Sequence, residues 1–178
     1  IERLNFTKLD REVVTKETDR RYKLAALELR NFAVDYLEMD GNKLLEKIDV
    51  TTIGSMIPIS FEVEKQFIKI GGGSEYIEEF YRRNVINILE LLSNFRPLKL
   101  NLYITVIEYL INFNKSNVLD FGGGIGDLSV LGDRFYKNQI LVDYYDLDGV
   151  TKDFAQSRMQ AQNTSHTSCY LSEANFLK

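Results

Sequence analysis

The chain has 178 residues, which is room for one ordinary domain or two small ones. Its 27% charged and 44% hydrophobic residues are those of a folded protein, and the net charge of −4 argues against nucleic acid as the main partner, because phosphate binding is driven by a surplus of lysine and arginine. One cysteine, Cys169, excludes an internal disulfide and a multi-cysteine metal site, and one histidine, His166, argues against a histidine-based zinc site.

Residues 1–113 read as a mainly helical region. From Thr15 to Met39, Tyr22, Ala25, Ala26, Leu29, Ala33, Tyr36 and Leu37 recur every three or four positions, the pattern of an amphipathic helix, with Gly41 as its expected stop. Turn signals follow at Gly54, Ser55 and Pro58, and residues 61–70, which alternate in part, fit a strand or a helix, with helix favoured. Gly71, Gly72 and Gly73 break the chain, and Ser74 is placed to cap a helix that runs to about Asn94. Tyr76, Phe80 and Tyr81 on that helix fit an apolar core stripe better than a cover over a ligand. Pro97 ends the unit, and a further helix over 98–112 carries Leu102, Val106, Tyr109 and Leu110. The pairs Arg20-Arg21 and Arg82-Arg83 lie among acidic residues and read as solvated helix faces. No apolar run approaches the roughly 18–20 residues of a membrane span, so the expectation is a cytoplasmic protein with no membrane partner.

The pattern changes at Ser116. Residues 117–121 form a short apolar run suited to a fully buried strand, 127–136 a helix, 139–145 a second strand, 149–162 a helix, and 168–172 a third strand. Strand, helix, strand, helix, strand implies an α/β fold with parallel strands and right-handed crossovers over 114–178.

Between the first strand and its helix lies Asp120-Phe-Gly122-Gly-Gly124-Ile-Gly126. Glycine is needed where φ is positive or where a ligand approaches the backbone, and a strand–glycine–helix junction aims free N–H groups at the loop. The dinucleotide fingerprint G-x-G-x-x-G fits badly, because one residue rather than two separates Gly124 from Gly126.

Asp120-x-Gly122-x-Gly124-x-Gly126 instead resembles motif I of the class I S-adenosylmethionine-dependent methyltransferases. Tyr144-Tyr-Asp146-Leu147-Asp148-Gly is similar to the acidic end of that family's second strand, and Cys169-Tyr-Leu-Ser-Glu173-Ala174-Asn175 to the end of its third. The resemblance covers about residues 113–178 and implies the first half of a Rossmann-like sheet. It also implies the cofactor S-adenosylmethionine, the product S-adenosylhomocysteine and a small-molecule acceptor. Gly122, Gly124 and Gly126 would pass close to the methionine and ribose, and Asp120 would orient the loop and hold the amino group. Asp146 would accept from the ribose hydroxyls, a role for which Asp143 and Asp148 are the rivals. Leu147 and Ala174 would pack beside the adenine, and Glu173 or Asn175 would accept from its amino group. The family's sheet has seven strands and this chain supplies three. The first residue is isoleucine rather than methionine, so further chain upstream is expected; the missing strands imply further chain after Lys178, or another chain or a swapped copy that completes the sheet, and no catalytic base is assigned. The helical half is expected to cover the cofactor, shape the substrate pocket or form a homodimer interface. A non-catalytic binding or assembly protein keeping half of the fold is the alternative, and a nicotinamide-dependent oxidoreductase a distant third.

Overall fold

The computed structural model describes residues 16–47, 85–137 and 139–164, with a few single positions between 65 and 83. The chain is mixed helix and strand. In order it contains α1 (Lys16–Tyr36), α2 (Gly41–Lys47), α3 (Ile86–Ser93), α4 (Pro97–Asn112), β1 (Asn117–Phe121), α5 (Asp127–Tyr136), β2 (Leu141–Tyr145) and α6 (Val150–Ala161). The expected third strand at 168–172, His166, Cys169, Glu173, Ala174 and Asn175 lie outside the described residues, as do Ser74, Tyr76 and Tyr81.

The long helix forms close to where its periodicity places it, but it stops earlier than Gly41. Glu38 takes the left-handed conformation at φ 48°, and Met39 N–H donates back to Val34 O at 3.0 Å. This closes the helix end in the way a glycine usually does. Gly41 instead begins α2, whose N-terminus is capped by Asp40: its Oδ1 accepts from Asn42 N–H at 2.9 Å. Pro97 occupies the first turn of α4, where its missing N–H costs nothing, rather than only ending the unit before it.

The apolar residues of α4 divide between two sides. Leu100, Ile104 and Ile107 are buried, whereas Leu102, Val106 and Tyr109 are exposed, Leu102 by 60%. The helix is apolar almost all round, so its periodicity does not choose a face; packing against α1 and α5 does.

β1 and β2 pair in parallel, with Asn117 opposite Leu141 and Phe121 opposite Tyr145. The crossover between them is α5, as expected for a strand–helix–strand unit. Val118, Val142 and Tyr144 turn toward the helices, and Val142 and Tyr144 are buried there. β1 is not the fully buried strand its apolar run suggests. Leu119 and Phe121 point the other way and are 40% and 65% exposed, with the Phe121 ring stacked on Tyr145 at 5.0 Å between centroids. Among the described residues, helices cover one face of the sheet only, and β1 has a single strand neighbour.

The core runs from α1 through α3, α4 and α5 to the sheet. Phe154 of α6 is fully buried against Phe32 and Tyr36 of α1, both edge-on at about 5 Å. Arg21 is not a freely solvated charge. It pairs with Glu17, donates to Tyr136 Oη at 3.1 Å and lies over the Phe135 ring, so it ties α1 to α5. Arg20 does remain on an exposed face, paired with Glu17. None of the described helices is long and apolar enough to cross a membrane.

Candidate functional site

The glycine loop leaves β1 at Phe121 and enters α5 at Asp127. Its backbone explains the alternation of the motif. Gly122, Gly124 and Gly126 have φ of 70°, 57° and 74°, a region closed to most side chains, whereas Gly123 does not. Gly123 is a glycine for a different reason. A β-carbon there would lie 2.7 Å from Asp120 Oδ2 and from two ring carbons of Tyr144, which is 1% exposed and has nowhere to go. At Gly122 a β-carbon meets nothing within 4 Å. Gly122→Ala is therefore expected to cost only the backbone strain, about 1–2 kcal/mol. Gly123→Ala, which must displace packed groups, should cost about 3 kcal/mol. Urea unfolding of the two variants checks the order, which pure backbone strain would reverse.

The loop is held from four directions. Gly122 and Gly123 N–H both donate to Tyr145 O, at 2.8 and 3.1 Å. Asp146, at the end of β2, accepts from Gly124 N–H through Oδ2 at 2.6 Å and from Leu147 N–H through Oδ1 at 2.7 Å. The Tyr144 hydroxyl donates to Gly124 O at 2.7 Å. Arg158 of α6 donates to Ile125 O at 2.9 Å. From above, Leu91 of α3 lies against Gly124, where an added β-carbon would sit 3.3 Å from it. A helix of the N-terminal region thus covers the loop.

Beneath the loop is an ion network. Asp127, the first residue of α5, is 1% exposed and bonds Arg158 Nη1 at 2.7 Å and Lys99 Nζ at 2.9 Å. Burial pushes its carboxyl up, but Arg158 and Lys99 outweigh this and hold it below the ordinary carboxylate range. Lys99 of α4 would lose affinity for its proton by burial, and Asp127 and Tyr103 reverse that and raise it.

Asp120 is in the opposite position. Burial, then the charges of Asp127 and Asp146, push its carboxyl up to about 6 against only the partial opposition of Lys99. The loop therefore sits in an excess of carboxylate, and one of its backbone donors, Gly124 N–H, is already taken by Asp146. That arrangement repels a pyrophosphate and favours a ligand that brings positive charge and hydrogen-bond donors.

Of the residues singled out from sequence, Asp120, Gly122, Gly124, Gly126 and Asp146 converge on this one loop, and Leu147 lies beside it, 41% exposed. The two rivals to Asp146 do other things. Asp148 pairs with Lys152 on the surface at 2.6 Å rather than capping α6, and Asp143 lies half-buried on the sheet face away from the helices. Glu173 and Ala174 lie outside the described residues. Sequence reasoning missed Asp127, Arg158, Lys99, Tyr144 and Leu91. A signal for Asp127 was present, an acid at a helix N-terminus after glycines, but its partners lie 28 and 31 positions away.

Gly149 marks a second close approach. Its φ is 153°, and a β-carbon there would fall 2.5 Å from the Cα of Arg82. The chain before α3 therefore presses directly on the turn that follows Asp146. Among the described residues no cluster of three or more acidic, histidine or cysteine side chains is arranged to hold a metal.

No protein-family model, no curated protein and no solved structure matches the chain.

Proposed function

We propose that the chain binds S-adenosylmethionine on the 122–126 loop and belongs to a methyltransferase acting on a small-molecule acceptor, with the sheet a part of a Rossmann-like one. The observation that carries the reading is the surplus of carboxylate around a left-handed glycine loop, with Asp120 pushed up to about 6 and Asp146 fastened to Gly124 N–H. A dinucleotide brings two phosphates to such a loop, and this loop opposes them. S-adenosylmethionine carries no phosphate; its ammonium and sulfonium outweigh its single carboxylate, and it brings two ribose hydroxyls.

In this assignment Asp120 faces the ammonium, and the positive charge returns its carboxyl to the ionised form. Asp146 keeps a free lone pair on each oxygen after accepting from Gly124 and Leu147, so it can also accept from both ribose hydroxyls. Exposed Leu147 offers an apolar edge to the adenine. Leu91 restricts water above Gly124. When bound, S-adenosylmethionine supplies a methyl group activated by the sulfonium, and the protein's part is to orient it toward the acceptor.

Calorimetric titration tests this. S-adenosylhomocysteine is expected to bind, and Asp146→Ala to weaken it at least about tenfold, about 1.4 kcal/mol. NAD and ATP are expected not to bind. Unchanged affinity in the variant, or NAD binding as tight as S-adenosylhomocysteine, refutes the assignment. One observation favours a second reading, a non-catalytic cofactor-binding or assembly protein. The sheet face carrying Leu119 and Phe121 is open to association. Methyl transfer to any acceptor by the purified chain decides against that reading.

A further inference from the structure

On the side of α3 away from the glycine loop lies a half-open groove of about 260 Å³ between α1, α2 and α3. Its wall is apolar: Ala26, Leu29 and Ala33 from α1, Leu44 from α2, Leu92 from α3 and Phe95 just after it. Its volume exceeds the roughly 150 Å³ of an engineered apolar site that takes up benzene. Its apolar walls face water when the groove is free, and a small apolar ligand would remove that area from water.

The rim gives the ligand its sign. Arg30 lines the cavity, is exposed, and has no ion-pair partner among the described residues. Lys23, also at the rim, is already paired with Asp19 at 2.7 Å. At the Phe95 end, Tyr22 stacks on the Phe95 ring at 5.9 Å. The Arg96 guanidinium is close enough to Tyr22 to oppose the upward push of burial on its hydroxyl, and the buried Arg96 Nη2 has no hydrogen-bond partner among the described residues. Among the described residues no acidic side chain lines the cavity.

We propose that this cavity binds a small amphiphile with an apolar chain or ring and a single carboxylate, the tail against Leu29, Leu44 and Leu92 and the carboxylate on Arg30. The pairing of a planar guanidinium with a carboxylate is bidentate, which fixes orientation as well as adding affinity. The site is separate from the glycine loop and stands whether or not the methyltransferase assignment holds.

The experiment is titration of the whole chain with sodium octanoate, 1-octanol and octylammonium, followed by NMR. Octanoate is expected to bind with transfer of magnetisation to the methyl groups of Leu29, Leu44 and Leu92 in the unmodified protein. Arg30→Gln is expected to weaken octanoate about tenfold and 1-octanol less than about twofold. Ala26→Phe, which fills the cavity from its half-buried wall, should abolish both. Octylammonium binding as tightly as octanoate, octanoate failing to bind, or contacts mapping to the sheet face instead of the three leucines would each overturn the proposal. Should Ala26→Phe not fold, the magnetisation transfer in the unmodified protein decides alone.

Discussion

Arg158→Met is expected to destabilise the protein by about 3–5 kcal/mol, measured by urea unfolding at neutral pH. Arg158 and Asp127 are each 1% exposed, and their contact joins α6 to the start of α5. Removing the guanidinium leaves a buried carboxylate with only Lys99, and leaves Ile125 O without its donor. The same loss should loosen the glycine loop, because Ile125 is one of its residues. A double substitution, Arg158→Met with Asp127→Leu, is expected to recover most of the lost stability, since an apolar pair avoids the desolvation that the ion pair must offset. It should not recover ligand binding if the loop depends on the Ile125 contact. Acid has a predictable effect on the intact network. The folded state holds Asp127 below its ordinary value, so its contribution is present above the ordinary carboxylate range and is lost as pH falls through the lowered one.

Asp120→Asn should do the reverse at about pH 7.5, stabilising the free protein by about 1–3 kcal/mol while abolishing S-adenosylhomocysteine binding. The carboxyl is pushed up to about 6 by burial and by its acidic neighbours, so the free protein carries a penalty whenever Asp120 is ionised. A carboxylate whose folded pKa is raised favours folding below the unfolded pKa of 3.8, and that advantage disappears as pH rises through about 6. The amide removes the charge and the penalty together. Thermal unfolding with and without S-adenosylhomocysteine from about pH 5 to 8 reads both effects, and ligand stabilisation of the unmodified protein should weaken below about 6. Equal stability of Asp120→Asn and the unmodified protein across that range would mean that the carboxylate is not under strain. A residue that costs stability and is nevertheless central to the loop is the pattern expected of a binding site.

Much of the loop was legible because the chemistry is local. Three left-handed residues at alternate positions require glycines at alternate positions, and an acid ending the next strand falls beside them once the strands pair in register. What was not legible depends on which surfaces meet. Asp127 reads as an ordinary acid at a helix start until α4 and α6 bring Lys99 and Arg158 onto it. The sides of α4 are chosen by α1 and α5, because Leu100, Ile104 and Ile107 are no more apolar than the exposed Leu102 and Val106. Gly41 looked like a helix stop because glycine usually is one, but Glu38 accepted the left-handed geometry three residues earlier. The strand over 117–121 looked fully buried because its composition suits cover on both faces, and among the described residues only one is covered.

That last feature governs how the protein behaves in a tube. Phe121 and Leu119, with Leu102, Val106, Tyr109 and Phe113 also outward, give the surface a colloidal stickiness that the net charge of −4 only partly counters. Solubility then becomes a matter of dose and salt. Added sodium chloride screens the mutual repulsion between molecules and leaves the greasy attraction intact. The mass seen by light scattering should climb with protein concentration, and climb sooner in high salt.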